Sequence, residues 1–329
     1  MKKGISIVAI LMLVCSIALC SVSCNENPLN DEPKEVRGFT DKDNQYLVLY
    51  DDFDSAEINS ELWNIYGKDK GNTPHIRRGA YWDPRQVFTD NNALVIRTQK
   101  REDGYLYTGA IDSHNKFEKG YGYYEARCKL PKASGLWSAF WLMSKQMEEG
   151  TAPGTSDVKL TGAEIDVMES PYYINGETNG MYQYNVHVGD YGKNYLMYSD
   201  LLKGHGTVNL VHYSNVLGTE EDVSLYDDWH TYALEWTETY YKFYLDRVLV
   251  GTITDMKYIS PLQGFLFLSV EVDGEEKQTK DDDGNIVRTP DAHTQLFKFF
   301  TQSIEENPDA NFPTDFLVDW VAVYSQKPF

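Results

Sequence analysis

The segment Glu164–Glu169, which reads Glu-Ile-Asp-Val-Met-Glu, constrains the fold of this chain more than any other feature. Three acids are interleaved with apolar residues, which is typical of a β-strand and not of a solvated acidic loop. Successive side chains of a strand point to opposite faces, so Glu164 and Asp166 share a face and Glu169 is expected on the other. One β-bulge around Val167–Met168 would return Glu169 to the face of the first two acids.

Three acids on one face repel one another, and a charged edge strand that resists aggregation is the structural alternative to a catalytic role. With the bulge, the two glutamate Cα atoms lie roughly 13 Å apart at about 3.3 Å per residue. Side chains that lean together then approach the ~5–5.5 Å carboxyl separation of a retaining glycosidase. Such an enzyme needs one ionised and one protonated carboxyl group, and neighbouring negative charge favours the protonated one. The pattern therefore favours a catalytic pair.

The hexapeptide resembles the catalytic strand of glycoside hydrolase family 16 in its bulged form, Glu-x-Asp-x-x-Glu. This resemblance implies that Glu164 is the nucleophile, that Glu169 is the acid and base, and that Asp166 orients the nucleophile between them. Other segments resemble strands of the same family in the same order, over about residues 47–324. They are Tyr121–Arg127, Gly135–Leu142, Trp229–Trp236 with Lys242–Asp246, and Phe316–Tyr324.

Short runs of β-forming residues, separated by turn dipeptides such as Asp103-Gly104 and Asp283-Gly284, predict an all-β chain of two packed antiparallel sheets. The family resemblance implies a concanavalin A-like β-jelly roll sandwich whose concave sheet forms a glycan groove. From Glu275 to Asn311 the chain departs from the family's short connection. The charged first half of this insertion predicts a loop, and Gln295–Ile304 predicts a short helix.

Composition restricts the possible partners. The net charge of −20 makes nucleic acid an unsuitable partner, because nucleic acids select basic surfaces. Residues 45–329 fit one large all-β domain, which we expect to be a monomer.

Of the four cysteines, Cys128 is the one within this domain, so an intrachain disulfide is not expected there. Its alternation with Tyr124, Ala126 and Leu130 predicts a small buried side chain.

The N-terminal residues predict export. Lys2 and Lys3 precede an apolar run, Ile5–Leu19, that is too short for a membrane span. Ser21-Val22-Ser23-Cys24 resembles a bacterial lipoprotein processing site, which implies a signal peptide over residues 1–24 and a lipid on Cys24. Ordinary signal cleavage nearby is the alternative. Residues 25–44 then predict a flexible tether to the outer membrane, and the cell surface is one location open to the domain.

Several aromatic and basic residues are candidates for substrate binding. Trp137 and Trp141 are four residues apart on one strand face, where a tryptophan either fills the core or stacks on the C–H face of a pyranose. His187 follows on the strand expected beside the catalytic strand, where a lone histidine is either a structural residue or a substrate contact. Arg78 and Trp82 belong to a cluster that either contacts sugar hydroxyls or pairs with the acidic surface.

The proposed chemistry requires no cofactor, and histidine and cysteine show no transition-metal spacing. The family resemblance implies a possible structural calcium bound by Asp319, with backbone oxygens near Asp51–Phe53. The alternative is an aspartate whose partners lie within the protein.

The substrate is left open between two kinds of β-linked glycan. The bulged signature is shared by family members that act on β-1,3-glucans and on galactose-based chains. An Asn-x-Glu-x-Gln-like segment, typical of laminarin-cleaving members, is replaced by His75–Trp82, which makes an endo-β-galactosidase a rival interpretation. A non-catalytic glycan-binding lipoprotein on the same scaffold is the alternative function, although a binding protein has no need of three acids on one face.

Overall fold

The computed structural model describes residues 45–150, 157–171, 173–174, 177–178, 180–190, 195–198, 209–221, 223–292 and 312–329. The predicted signal peptide, the lipid-bearing Cys24, the tether of residues 25–44 and the predicted helix Gln295–Ile304 lie outside this part of the chain. Among the residues that are described, no helix has the length and apolar character required to cross a membrane.

The described residues form 24 β-strands and two short α-helices. The first twelve strands are β1 (Leu47–Asp51), β2 (Asn64–Ile65), β3 (His75–Arg77), β4 (Ala80–Trp82), β5 (Val87–Asp90), β6 (Ala93–Lys100), β7 (Leu106–Thr108), β8 (Ala110–Asp112), β9 (Glu118–Lys119), β10 (Gly122–Lys129), β11 (Leu136–Ser144) and β12 (Ala163–Ser170). The next six are β13 (Tyr173–Ile174), β14 (Glu177–Thr178), β15 (Met181–Val188), β16 (Leu196–Tyr198), β17 (Asn209–His212) and β18 (His230–Trp236). The last six are β19 (Tyr241–Leu245), β20 (Val248–Ile253), β21 (Gly264–Val272), β22 (Glu275–Lys280), β23 (Ile286–Asp291) and β24 (Thr314–Tyr324). The helices are α1 (Lys145–Glu148) and α2 (Tyr213–Leu217).

Two large sheets pack face to face. The described strands of the first follow the order β20-β19-β18-β10-β24-β6-β7-β4-β3, with β1 on β24 and β5 on β6. Those of the second follow the order β16-β15-β12-β11-β21-β8-β2, with β17 on β15 and β9 on β21. The pairings within both sheets are antiparallel except for that of β4 with β7. The prediction of an all-β jelly roll of two antiparallel sheets is confirmed.

The core lies between the two sheets and is rich in aromatic side chains. Strand β10 shows how the sequence builds it, since Tyr124, Ala126 and Cys128 point inward and the next inward residue is Leu130. All four are buried, which confirms the prediction for Cys128. Each fully buried large apolar side chain contributes about 1.5–3 kcal/mol to folding.

Strand β12 contains the predicted bulge. Its antiparallel partner β11 pairs Phe140 with Met168 and the next residue, Trp141, with Asp166, so Val167 is the extra residue. Val167 and Met168 both lie in the core between the sheets. The extra residue shifts the alternation of side chains by one position. Glu169 therefore points to the face that carries Glu164 and Asp166.

The segment that follows β21 corrects one prediction. The first half of the insertion after Glu275 was expected to be a loop, but it forms a two-stranded ribbon of β22 and β23. Asp283-Gly284 lies in its turn, and Gly284 has a φ of 83°, which glycine adopts without strain. The charged side chains of β22 are exposed, so their charge does not oppose strand formation. The ribbon packs against β3 and β4.

Candidate active site

The open face of the second sheet carries a groove with a volume of about 700 Å³. Its floor comes from neighbouring strands, because residues of β15, β12, β11 and β21 line it side by side. The hairpin of β3 and β4 and the aromatic residues Tyr66 and Phe267 line another part of its wall. The groove therefore crosses the strands instead of following one of them.

The three acids of β12 all line this groove. Glu164 and Asp166 are largely enclosed, with 15% and 4% of their side chains exposed. Burial raises the pKa of Glu164 well above its ordinary value, and the negative charge of Asp166 adds to this effect. Burial likewise raises the pKa of Asp166, while its hydrogen bond with the Glu164 side chain acts in the opposite direction. The two carboxyl groups lie within 4.8 Å of each other, so the charge of either one disfavours ionisation of the other.

Glu169 is held from both sides. The indole Nε1 of Trp137 donates to its Oε1 at 2.8 Å, and the amide Nε2 of Gln183 donates to its Oε2 at 2.9 Å. Burial raises the pKa of Glu169 to about 8, with a further contribution from the charge of Asp166, and the two donors partly offset the rise. A carboxyl group with this pKa is protonated at neutral pH and is positioned to give its proton to a bound substrate.

His187 lies beside the acids on the neighbouring strand β15. Its Nε2 is 2.9 Å from Asp166 Oδ2 and 3.8 Å from Glu164 Oε1. Its Nδ1 makes a short hydrogen bond with the hydroxyl of Tyr195. The histidine therefore connects Asp166 to Tyr195 and fixes the orientation of the Asp166 carboxyl group. This contact lies within the active-site network, whereas a direct contact of His187 with substrate stays a prediction.

Two places in the described residues bear on metal binding. Glu164, Asp166 and His187 have donor atoms within 4.8 Å of one another, a spacing that their mutual hydrogen bonds already explain. Asp319, the residue expected to bind calcium, is buried, and its Oδ2 accepts a hydrogen bond from Arg127 Nη1 at 2.9 Å. This ion pair fits the interpretation of an aspartate with partners inside the protein. A calcium ion at Asp319 stays a prediction.

The three candidate tryptophans all line the groove, but their environments differ. Trp137 is partly exposed and contacts Glu169. Trp141 is 8% exposed, stacks on Phe267 with the ring centroids 4.1 Å apart, and donates to Ser269 Oγ. Trp82 is 3% exposed, and its indole donates to the carbonyl of Val270 at 2.8 Å. Trp137 is therefore the most available of the three to stack on a sugar.

Arg78 lines the groove, but its guanidinium group already pairs with an acid of the protein. Its Nε makes a short ion pair with Glu271, and 35% of its side chain is exposed. Glu271, like Glu148, is an additional acid in the groove that the sequence interpretation missed. The signal was present, because Glu271 is the one charged residue of the otherwise apolar and neutral strand Gly264–Val272.

Other groove residues were also missed. Gln183 and Asn185 line the groove with His187, and the three alternate along β15. This period of two could have identified them from the sequence. Tyr195 offered no comparable signal. Glu235 lies outside the groove, on β18 in the other sheet, where it accepts hydrogen bonds from Tyr240 and Tyr244.

The arrangement provides what an acid-and-nucleophile mechanism needs. Two glutamates face the same groove from one strand, and they have different partners. Glu164 contacts Asp166 and His187, whereas Glu169 accepts hydrogen bonds from two neutral donors. Such a mechanism needs Glu164 in its ionised form, which the neighbouring His187 favours, and Glu169 in its protonated form, which its burial favours.

Comparisons with known proteins identify the family of the chain. The chain matches the family model described as "Glycosyl hydrolases family 16" over residues 77–201 and 203–286, which is more than half of its length. A β-glucanase from Rhodothermus marinus is 29% identical over 227 residues, or 65% of this chain and 68% of that protein. The glucan endo-1,3-β-glucosidase A1 of Niallia circulans is 23% identical over 231 residues, or 65% of this chain but 30% of that protein.

Solved structures support the same assignment of the fold. The laminarinase catalytic domain of Thermotoga maritima aligns with a TM-score of 0.57 at 22% identity, covering 85% of this chain and 98% of that one. The acids of β12 lie inside the span of the family match. The chain therefore belongs to glycosyl hydrolase family 16.

Proposed function

We propose that this protein is a retaining endo-β-glycosidase that cleaves internal β-linkages of a polysaccharide or complex glycan. One observation carries the proposal. The bulge at Val167 brings Glu164, Asp166 and Glu169 to one groove, and the pKa of Glu169 is raised to about 8 mainly by burial. A groove that crosses several strands offers room for sugar units on both sides of the cleaved bond, which favours endo action.

In the first step, a carboxylate oxygen of Glu164 forms a bond with the anomeric carbon. The bond from that carbon to the glycosidic oxygen breaks, and Glu169 gives its proton to the departing oxygen. The negative charge moves from Glu164 to Glu169. Asp166, hydrogen-bonded to Glu164 and to His187, keeps the attacking carboxylate in position.

In the second step, the ionised Glu169 takes a proton from water as the water oxygen bonds to the anomeric carbon. The ester bond to Glu164 breaks, and both glutamates return to their starting protonation. Two inversions at the same carbon retain its β configuration. The hydrogen bonds from Trp137 and Gln183 stabilise the ionised Glu169 between the two steps.

We further propose a β-glucan as the substrate. The two relatives described above are named a β-glucanase and a glucan endo-1,3-β-glucosidase, which supports glucan. The competing prediction, a β-galactoside-containing chain, rests on the His75–Trp82 segment in place of the laminarinase-like motif. His75, Ile76, Arg77, Arg78 and Trp82 of this segment line the groove, so they would contact or exclude particular sugars.

The experiment is product release from β-1,3-glucan, mixed-linkage β-glucan, galactans and mucin-type O-glycans, with the wild type beside Glu164→Gln. We expect short oligosaccharides from a β-glucan, with a loss of about 10⁴-fold or more in the variant. Products from a galactose-based chain would replace the glucan proposal while keeping the mechanism. Binding to a glycan without products from any substrate would refute the enzyme proposal and support a glycan-binding protein.

We also propose that Cys24 is lipidated and anchors the domain to the outer membrane through residues 25–44. The support is the sequence of residues 1–24, in which basic and apolar segments precede Cys24. A mobile tether would let the groove reach a large, immobile polysaccharide.

A further inference from the structure

Glu271 places a fourth carboxylate beside the catalytic acids. It lies on β21 opposite Trp137 of β11, and the residue as a whole is 9% exposed. Its neighbours Val270 and Val272 point into the core, so Glu271 points toward the groove. A carboxylate in such a place is unfavourable unless partners compensate its charge.

Two consecutive arginines provide that compensation. Arg77 approaches Glu271 Oε1 at 2.5 Å through both Nε and Nη2, and the Nε of Arg78 makes a short ion pair with Glu271 Oε2. The two arginine side chains are 43% and 35% exposed, whereas that of Glu271 is 11% exposed. We call Glu271, Arg77 and Arg78 together the Glu271 clasp.

The backbone explains how adjacent arginines reach one carboxylate. In a regular strand their side chains would point to opposite faces. Arg78 instead has a φ of 53°, in the left-handed region that non-glycine residues rarely occupy. The next residue, Gly79, donates to the carbonyl of Val272, and a Cβ there would lie 2.4 Å from the carbonyl oxygen of Asp273. Glycine is therefore required for this close approach, which holds both arginines over Glu271.

The clasp touches the catalytic machinery at Trp137. The Arg78 guanidinium carbon lies 5.8 Å from the centroid of the Trp137 ring, within the range of a cation–π contact. The indole of Trp137 in turn donates to Glu169. Arg78 therefore packs on the same ring that holds the proposed proton donor.

The clasp also acts through charge. Glu164, Asp166 and Glu169 on β12, His187 on β15 and Tyr195 line the groove together with the clasp residues. His75 and Glu148 line the same groove. Burial is the main cause of the raised pKa values of Glu164 and Asp166, and the negative charge of Glu271 raises both further. The guanidinium groups of Arg77 and Arg78 carry the opposite charge, and a nearby positive charge favours the ionised form of a carboxyl group.

We propose that the Glu271 clasp is a positioning and charge-setting unit for the catalytic acids, an inference that rests on the proposed function. It fixes Trp137 against Glu169, and its net positive charge sets the pH range in which the groove carboxyl groups share their protons. The three clasp residues touch no reacting atom and act through Trp137 and through the electric field in the groove.

The test exploits the opposite signs of the clasp charges. Glu271→Gln leaves both arginines without the carboxylate, so the pKa values of the groove carboxyl groups fall. The pH profile of kcat/KM should then move to lower pH by roughly half a unit or more. The double variant Arg77→Gln/Arg78→Gln removes the positive charges and should move the profile to higher pH. Positioning through Trp137 predicts that kcat falls more than KM rises in Glu271→Gln, which keeps both arginines that line the groove.

Arg97→Gln is a matched control. It removes an arginine from a two-bond pair with Asp315, with donor–acceptor distances of 2.8 and 2.9 Å, on strands of the other sheet. Its pH profile should coincide with that of the wild type. A purely structural clasp would lower activity without moving the profile, and shifts of the same sign in both clasp variants, or none, would overturn the proposal.

A titration without substrate separates this inference from the proposed function. Carbon-13 NMR of the labelled carboxyl groups of Glu164, Asp166 and Glu169 reports their protonation in the wild type and in both clasp variants. Shifts of opposite sign would support the clasp even if no glycan were cleaved. Unchanged titration in an enzyme that cleaves β-glucan would refute the clasp and leave the proposed function intact.

Discussion

Val167 and Met168 are adjacent in the sequence, yet both side chains pack in the core between the sheets. Neighbouring residues of a regular strand cannot do this, because their side chains alternate. The two apolar side chains therefore hold the bulge on the core face of β12, while the acids point into the groove on its other face. Core packing and active-site geometry depend on the same backbone irregularity.

Met168→Ala should reduce both stability and turnover. Met168 is fully buried, so its truncation should lower the free energy of unfolding by about 2–5 kcal/mol. Glu169 is the next residue, and a loosened bulge should lower kcat more than it raises KM. Denaturant unfolding and steady-state kinetics measure the two effects. Met256→Ala is the control, because Met256 is 47% exposed, and its free energy of unfolding should stay within about 0.5 kcal/mol of that of the wild type. Equal losses in both variants would contradict this role of Met168.

Activity should decline as the pH rises through about 8. Burial, with the charge of Asp166, raises the pKa of Glu169 to about 8, and the first step needs its proton. Below this pH Glu169 is protonated, whereas above it the departing oxygen finds no proton donor. The pH profile of kcat/KM on an unactivated oligosaccharide gives the alkaline limb. A limb near pH 5 would exclude Glu169 as the proton donor.

The same proton should make stability depend on pH. The unfolded chain loses the Glu169 proton near its ordinary pKa of 4.5, whereas the folded protein keeps it to about 8. Between these values the native state binds more protons, so the free energy of unfolding falls as pH rises. Calorimetry at pH 5 and pH 8 should show a smaller decline of Tm for Glu169→Gln than for the wild type. Identical declines would show that Glu169 does not retain its proton on folding.

Glu169→Gln should discriminate between leaving groups. Glutamine cannot donate a proton to the departing oxygen, so cleavage of oligosaccharides should slow by about 10²–10⁴-fold. Aryl glycosides that carry a strongly acidic phenol need little protonation, and their first step should slow much less. Rates on the two substrate types measure this difference. A uniform loss on both would argue against the acid and base role.

Cys24→Ser should abolish lipid attachment if the N-terminal residues act as proposed. The wild type, expressed in a bacterial host, should incorporate a labelled fatty acid and partition into detergent. The variant should do neither and should keep its activity, because the catalytic acids lie in a separate part of the chain. Cys15→Ser, within the predicted signal peptide, is the control and should retain the label. Labelling of the Cys24 variant would exclude Cys24 as the lipid site.

The acidic strand and the fold could be predicted because their signals are local. Alternating apolar residues identified β12, and the placement of three acids on one face required one bulge, which occurs at Val167. Residues Tyr124 to Leu130 showed the same period on β10. Such patterns reflect the geometry of a strand and do not depend on distant parts of the chain.

The remaining groove contacts depend on distant parts of the chain. Arg77 and Glu271 are separated by 194 positions, and their pairing follows from the packing of a hairpin against the end of β21. The prediction of a loop for the segment that forms β22 and β23 is wrong, because a high density of charge does not exclude a strand whose side chains meet water. On β22, polar and charged side chains are compatible with a strand, since the side chains of both its faces are exposed to water.

A groove that crosses the strands has a consequence for how specificity can diverge. Adjacent strands lie about 4.7–4.9 Å apart, so a glycan laid across them meets β15, β12, β11 and β21 in turn. Each strand then presents its own side chains to its own portion of the ligand. A substitution of a β21 residue outside the Glu271 clasp, such as Phe267, can change the recognition of one sugar while the cleavage point on β12 keeps its geometry. Sugar recognition can therefore change at one strand at a time, while the site of bond cleavage stays on β12.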